Sequence, residues 1–89
     1  MIIIYSTSWC PSCVMAKKLL DEKNISYNEV NIEERGWDRN KLKEITGAMT
    51  VPQIVINEKP IGGYESLLHL NQSGDLERLL EKWIWLMQK

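Results

Sequence analysis

Apolar positions along the chain change their spacing several times, and each change marks an element. Ile2-Ile3-Ile4-Tyr5 is a continuous run of β-formers, which predicts a short strand covered on both faces. Ser6 to Trp9 read as a loop. From Pro11 to about Lys23, Cys13, Ala16 and Leu20 recur at three- and four-residue spacing with Leu19 adjoining, while Lys17, Lys18 and Glu22 look outward. This predicts a helix opened by a proline, whose missing N–H costs nothing at the first position, and stopped at Asn24. Ser26 to Ile32 alternates, with Tyr27, Val30 and Ile32 apolar, and predicts a second strand. A strand–helix–strand unit of this kind requires parallel strands and a right-handed crossover.

Asp38 is placed to cap a helix of about Arg39 to Thr46 that carries Leu42 and Ile45 and stops at Gly47. Ile54-Val55-Ile56 predicts a third strand. Asn57-Glu58-Lys59-Pro60 is turn chemistry ahead of a brief fourth strand near Ile61. Gly62-Gly63 then opens a helix containing Leu67, Leu68 and Leu70. The last helix carries the longest stripe: Leu76, Leu79, Leu80, Trp83, Ile84 and Met87, with Asp75 near its positive end and Trp85 off the stripe. The order β-α-β-α-β-β-α-α predicts an α/β domain over residues 1–89, a small mixed sheet with helices on its faces and an antiparallel final hairpin.

Composition limits what such a domain can do. Eighty-nine residues suffice for one domain, and 11 Lys+Arg against 12 Asp+Glu leave a formal charge of −1. That balance argues against nucleic acid or a membrane surface as partner through bulk basic charge. No apolar run approaches the roughly 20 residues that span a bilayer. Met1-Ile2-Ile3-Ile4 is too short for a signal-peptide core and no basic segment precedes it, so a cytoplasmic location is expected.

Both cysteines lie in one motif, Cys10-Pro11-Ser12-Cys13. A secreted scaffold spreads four to eight cysteines along its length, and structural zinc takes four ligands, which the pair plus a distant His69 does not supply. No metal is expected. The motif follows a β-run and sits at a helix start marked by proline, the context of reversible dithiol chemistry rather than of two inert buried cysteines or half a metal knuckle. At a helix N-terminus a sulfur meets unpaired N–H groups and the positive end of the macrodipole, which favours the thiolate. Cys10 is then the exposed nucleophile, and Cys13, one turn deeper on the inward face, the resolving thiol.

Four segments together resemble the glutaredoxin family of the thioredoxin-fold superfamily: Ile4-Tyr5, Trp9-Cys10-Pro11-Ser12-Cys13, Thr50-Val51-Pro52-Gln53-Ile54 and Ile61-Gly62-Gly63-Tyr64-Glu65. They stand in the family's order at about its spacing and cover nearly the whole chain. The resemblance implies a thioredoxin-like fold with a four-stranded mixed sheet, an extra C-terminal helix, and glutathione-dependent thiol–disulfide exchange. It also implies a cis-proline at Pro52 facing the cysteines. Glutathione would lie along Thr50, Val51 and Pro52, its γ-glutamyl end at Gly63, Tyr64, Glu65 and Ser66, its glycyl carboxylate paired with Arg39. Read from the residues alone, Pro52 could equally be a trans proline opening a strand, Gly62-Gly63 a simple turn, and Arg39 a solvated helix residue.

Departures from the family pattern cluster around the cysteines. Thr7 stands where a lysine is common, Ser12 where an aromatic often follows the proline, and Glu65-Ser66 where Ser-Asp or Asp-Asp is usual. Trp9 is thioredoxin-like and offers an apolar docking surface beside Cys10 and Pro11. The expected partners are glutathione and disulfide-containing or glutathionylated proteins, ribonucleotide reductase among the candidates, acting on a monomer. Two other readings remain: a thioredoxin-like donor recharged by a flavin reductase, and an iron–sulfur carrier sharing a cluster through Cys10 and glutathione. His69 reads as a helix-surface residue and Glu33-Glu34-Arg35 as a solvated loop.

Overall fold

The computed structural model describes residues 1–80. Its elements are β1 (Ile2–Ser6), α1 (Pro11–Glu22), β2 (Asn28–Asn31), α2 (Arg39–Thr46), β3 (Gln53–Ile56), β4 (Lys59–Gly62) and α3 (Tyr64–Ser73). Residues 75–80 are helical again; Trp83, Ile84, Trp85 and Met87 of the expected last helix lie outside the described residues. The four strands form one mixed sheet in the order β2-β1-β3-β4. β1 and β2 are parallel, while β1 with β3 and β3 with β4 are antiparallel, as the crossover and hairpin expectations require.

β1 is covered on both faces because its successive side chains point to opposite sides. Ile2 and Ile4 pack with Ala16 and Leu20 of α1, Leu67 of α3, Leu76, Ile54 and Ile56. Tyr5 packs on the other face with Ile32, Leu42 of α2 and Val55. Helices α1 and α3 therefore share one face of the sheet and α2 covers the other.

Several boundaries differ from the pattern's prediction. β2 is four residues, not seven: Ile3 faces Asn28 and Ser6 faces Asn31, so at its C-terminal end the edge strand stops where β1 stops, while Ser26 and Tyr27 precede the pairing. Beyond it the side chain of Asn31 accepts from the N–H groups of Glu33 and Glu34 and turns the chain away. Lys59 and Pro60 belong to β4, not to the turn, since the turn is closed by Asn57 and Glu58 alone, at φ 51° and 71°. Pro60 is tolerated there because β4 is an edge strand. In α2, Leu42 and Thr46 face inward while Ile45 is exposed: the Thr46 hydroxyl donates to the carbonyls of Leu42 and Ala48. Leu79 is likewise exposed on the expected apolar stripe.

Candidate active site

Strand register gathers four connections at one end of the sheet. Ser6 faces Asn31, Tyr5 faces Gln53, and Ile54 faces Gly62. The loop leaving β1 toward Cys10, the loop leaving β2 toward α2, the segment 50–52 entering β3 and the glycines leaving β4 therefore all lie there. The hairpin turn at Asn57 and the N-terminus, whose ammonium donates to Asn57 Oδ1 at 2.8 Å, are at the opposite end.

Cys10 is the N-cap of α1, with extended backbone, and Pro11 occupies the first turn. Its Sγ accepts from the backbone N–H of Cys13 at 3.0 Å, a role usually taken by a serine or aspartate oxygen. The first turn of α1 carries no acidic side chain. The two cysteines are joined as a disulfide. Cys13 is 1% exposed and continues inward as Ala16 and Leu20. Cys10, expected to be exposed, is itself buried at 8%, less deeply than Cys13, because as N-cap it is joined to Cys13 and covered by the helix head. Around them Pro11 and Ser12 are exposed, Thr7 is half-buried, and Trp9 stands out into solvent at 93% exposure.

The Val51–Pro52 peptide bond is cis, as the resemblance implied, and Pro52 is buried at the entry to β3. Thr50 is exposed and its hydroxyl accepts from the buried Gln53 side chain at 3.1 Å. Arg39, on the first turn of α2, donates to the carbonyl of Met49 at 3.2 Å, which brings its guanidinium to the segment leading into Pro52. Gly62 has φ +111°, a conformation that L side chains rarely adopt, and a Cβ there would stand 2.7 Å from the Ser66 hydroxyl. A Cβ on Gly63 would come to 3.4 Å from the Pro52 carbonyl, so the two segments pass close to each other. Gly63 caps α3 without a side-chain hydrogen bond, leaving the helix's first N–H groups free of a capping oxygen. Tyr64 and Ser66 are half-buried and Glu65 is exposed at this N-terminus. A hollow of about 860 Å³ borders Glu65 and Ser66 together with Lys59, His69 and Leu79, and neither cysteine lines it.

Residues 2–61 match the glutaredoxin family model. The chain belongs to the glutaredoxin family. It is 40% identical over 82 residues to glutaredoxin 1 of Rickettsia conorii, covering 90% of this chain and 80% of that one. It is 39% identical over 79 residues to a Pseudomonas aeruginosa glutaredoxin, covering 89% and 94%. A buckwheat glutaredoxin–glutathione complex superposes with a TM-score of 0.81 at 27% identity, over 91% of this chain and 76% of that one. The sheet order and helix placement are thus the thioredoxin-like fold of the glutaredoxins. The glutaredoxin dithiol at Cys10 and Cys13 makes the protein a thiol–disulfide oxidoreductase with a redox-active disulfide.

Glu33, Glu34 and Arg35 are exposed, as expected of a solvated loop, but the Glu33 carboxylate has a partner that the pattern did not show: it accepts from the backbone N–H of Ser8 at 2.7 Å. Only the local signal Asn-x-Glu after a strand hinted at an ordered turn there. Gln53 is also buried, at 4% exposure, with Thr50 as its partner.

Proposed function

We propose that the protein reduces glutathionyl mixed disulfides and protein disulfides, with Cys10 as nucleophile, Cys13 as resolving thiol and glutathione as reducing co-substrate. The observation that carries this reading is the 3.0 Å contact of the Cys13 N–H with the Cys10 sulfur at the head of α1. In the reduced protein the same N–H and the helix end favour the anionic form of Cys10. The dipole alone is worth about 0.3–1 kcal/mol, so the direct hydrogen bond is needed to shift the thiol usefully below its ordinary range.

The chemistry balances in two exchanges. The Cys10 thiolate attacks the glutathione sulfur of a mixed disulfide; the new sulfur–sulfur bond forms as the old one breaks, and the target leaves as a thiolate that takes a proton. A second glutathione thiolate then attacks the enzyme-bound glutathione sulfur, giving glutathione disulfide and freeing Cys10. For a protein disulfide, Cys13 instead attacks Cys10 in the mixed disulfide, releases the target and leaves the intramolecular disulfide, which two glutathiones reduce. Glutaredoxin couples lie at about −200 to −230 mV, within reach of the glutathione pool.

Support for glutathione as the co-substrate comes from the buckwheat complex and from the groups gathered at this end of the sheet. Thr50, Val51 and Pro52 would present an extended edge to the tripeptide. The open N–H groups at Gly63, Tyr64 and Glu65, with the Ser66 hydroxyl, would receive its γ-glutamyl end, and Arg39 its glycyl carboxylate. Thr7, Trp9, Pro11 and Ser12 would form the rim on which a disulfide-bearing protein docks, in the cytoplasm. Turnover coupled to glutathione and glutathione reductase tests this. Cys10→Ser should abolish exchange, while Cys13→Ser should keep deglutathionylation and lose most reduction of protein disulfides. Faster recharging by a flavin-dependent thioredoxin reductase than by glutathione would overturn the choice of reductant.

A further inference from the structure

The segment before Cys10 has an unusual anchorage. Trp9 is 93% exposed, so the residue joining Ser8 to the N-cap cysteine contributes no packing to hold the loop. The hold comes from the neighbouring turn after β2. The Glu33 carboxylate accepts from the Ser8 N–H at 2.7 Å, and the Asn31 side-chain amide donates to the Ser8 hydroxyl at 3.2 Å. That turn is itself tightly bonded. Asn31 Oδ1 accepts from the N–H groups of Glu33 and Glu34 at 3.0 and 3.2 Å, and the Arg35 N–H donates to the Asn31 carbonyl at 3.2 Å. The Trp37 N–H donates to the Ile32 carbonyl at 2.9 Å, and the Trp37 ring lies 6.3 Å from that of Tyr5, centroid to centroid.

We propose that Glu33 is a positioning residue for the redox cysteines, acting through Ser8 to fix the direction from which the chain enters Cys10. Cys10 sits at φ −148° and ψ 94°, and in the disulfide its sulfur lies 3.0 Å from the Cys13 N–H; once the disulfide is reduced, the backbone entering Cys10 is what keeps the sulfur there. Two residues upstream, the Ser8 amide is held at 2.7 Å by an exposed acceptor oxygen of Glu33, and a preformed turn aims that acceptor at little entropic cost. Glu33 never touches the reacting sulfurs. Its effect is on how well the helix head receives a thiolate, and the inference rests on Cys10 being the attacking thiol.

Reach and charge separate the positioning role from simple electrostatics. A carboxylate acting only by its charge would disfavour the Cys10 thiolate, so removing that charge would make the thiol more acidic. Glu33→Gln keeps an acceptor oxygen at full reach without the charge; Glu33→Asp keeps the charge and loses a methylene of reach. Reduced protein is alkylated with iodoacetamide over a pH series, and the label is assigned to each cysteine by mass spectrometry. Positioning predicts that Glu33→Asp moves the midpoint for Cys10 upward by about half a pH unit, a roughly threefold slower reaction below it, while Glu33→Gln stays near the unaltered protein. A downward shift in Glu33→Gln with none in Glu33→Asp, or no shift in either, overturns the proposal. Preferential labelling of Cys13 in the unaltered protein would instead strike down the assignment of the attacking thiol.

Discussion

At Glu29, partial burial pushes the carboxyl pKa up, but the Ser6 hydroxyl at 2.7 Å and the Lys17 ammonium at 2.9 Å outweigh it and hold the group below the usual carboxylate range. A carboxyl depressed in the folded state adds stability above its unfolded pKa and loses it as pH falls through the folded value. Glu29→Gln should therefore lower the thermal midpoint at neutral pH, and the gap from the unaltered protein should close on acidification. A gap that persists in acid would show that lost packing, not ionisation, is responsible. The pairing was invisible along the chain. Ser6, Lys17 and Glu29 stand on β1, α1 and β2, and only the parallel register brings them together. Cys10 is the contrasting residue: its place at a helix head was legible because Pro11 follows it and a β-run precedes it.

Among the elements, α2 forms where its local signals say it should. Asp38 accepts from the Lys41 N–H at 2.9 Å, and Gly47 closes the other end at φ 85°. Asp38→Ala should cost about 1 kcal/mol of unfolding free energy in urea. On the proposed pairing of Arg39 with the glycyl carboxylate of glutathione, the same change should also raise KM for glutathione substrates more than it lowers kcat. What α2 buries was harder to read. Its periodicity offers Leu42 and Ile45 alike, but the helix meets the sheet through Leu42 and buries Thr46 beside it, where a threonine back-bonded to Leu42 spares its hydroxyl an unpaired burial. β2 shows the same lesson from the other side. Alternation extends from Tyr27 to Ile32, while the strand stops where β1 has no more residues to offer.

For the whole molecule, the cysteine pair and the core are one structure. Cys13, Ala16 and Leu20 form a single inward column of α1, and Leu20 is fully buried against β1, β3 and α3. Leu20→Ala should destabilise the fold by about 2–5 kcal/mol, measured by urea unfolding of the oxidised protein. A loss below 1 kcal/mol would mean the core collapses around the gap. The site lies where it does because β1 runs parallel to β2 and antiparallel to β3, so the exits of β1, β2 and β4 and the entry of β3 all fall at the same end.

Patterns with short range were readable from the chain: the helix starts at Pro11 and Asp38, the stop at Gly47, the β-run at Ile2 and the paired cysteines. Each depends on dihedral preference, capping or periodicity within one or two turns, and those act between neighbours in sequence. The tertiary structure alone decided that Glu33 grips Ser8, that Arg39 leans on the Met49 carbonyl, and that Gly63 passes the Pro52 carbonyl. These contacts join residues on separate elements, and their geometry exists only after the sheet has set which strand ends meet.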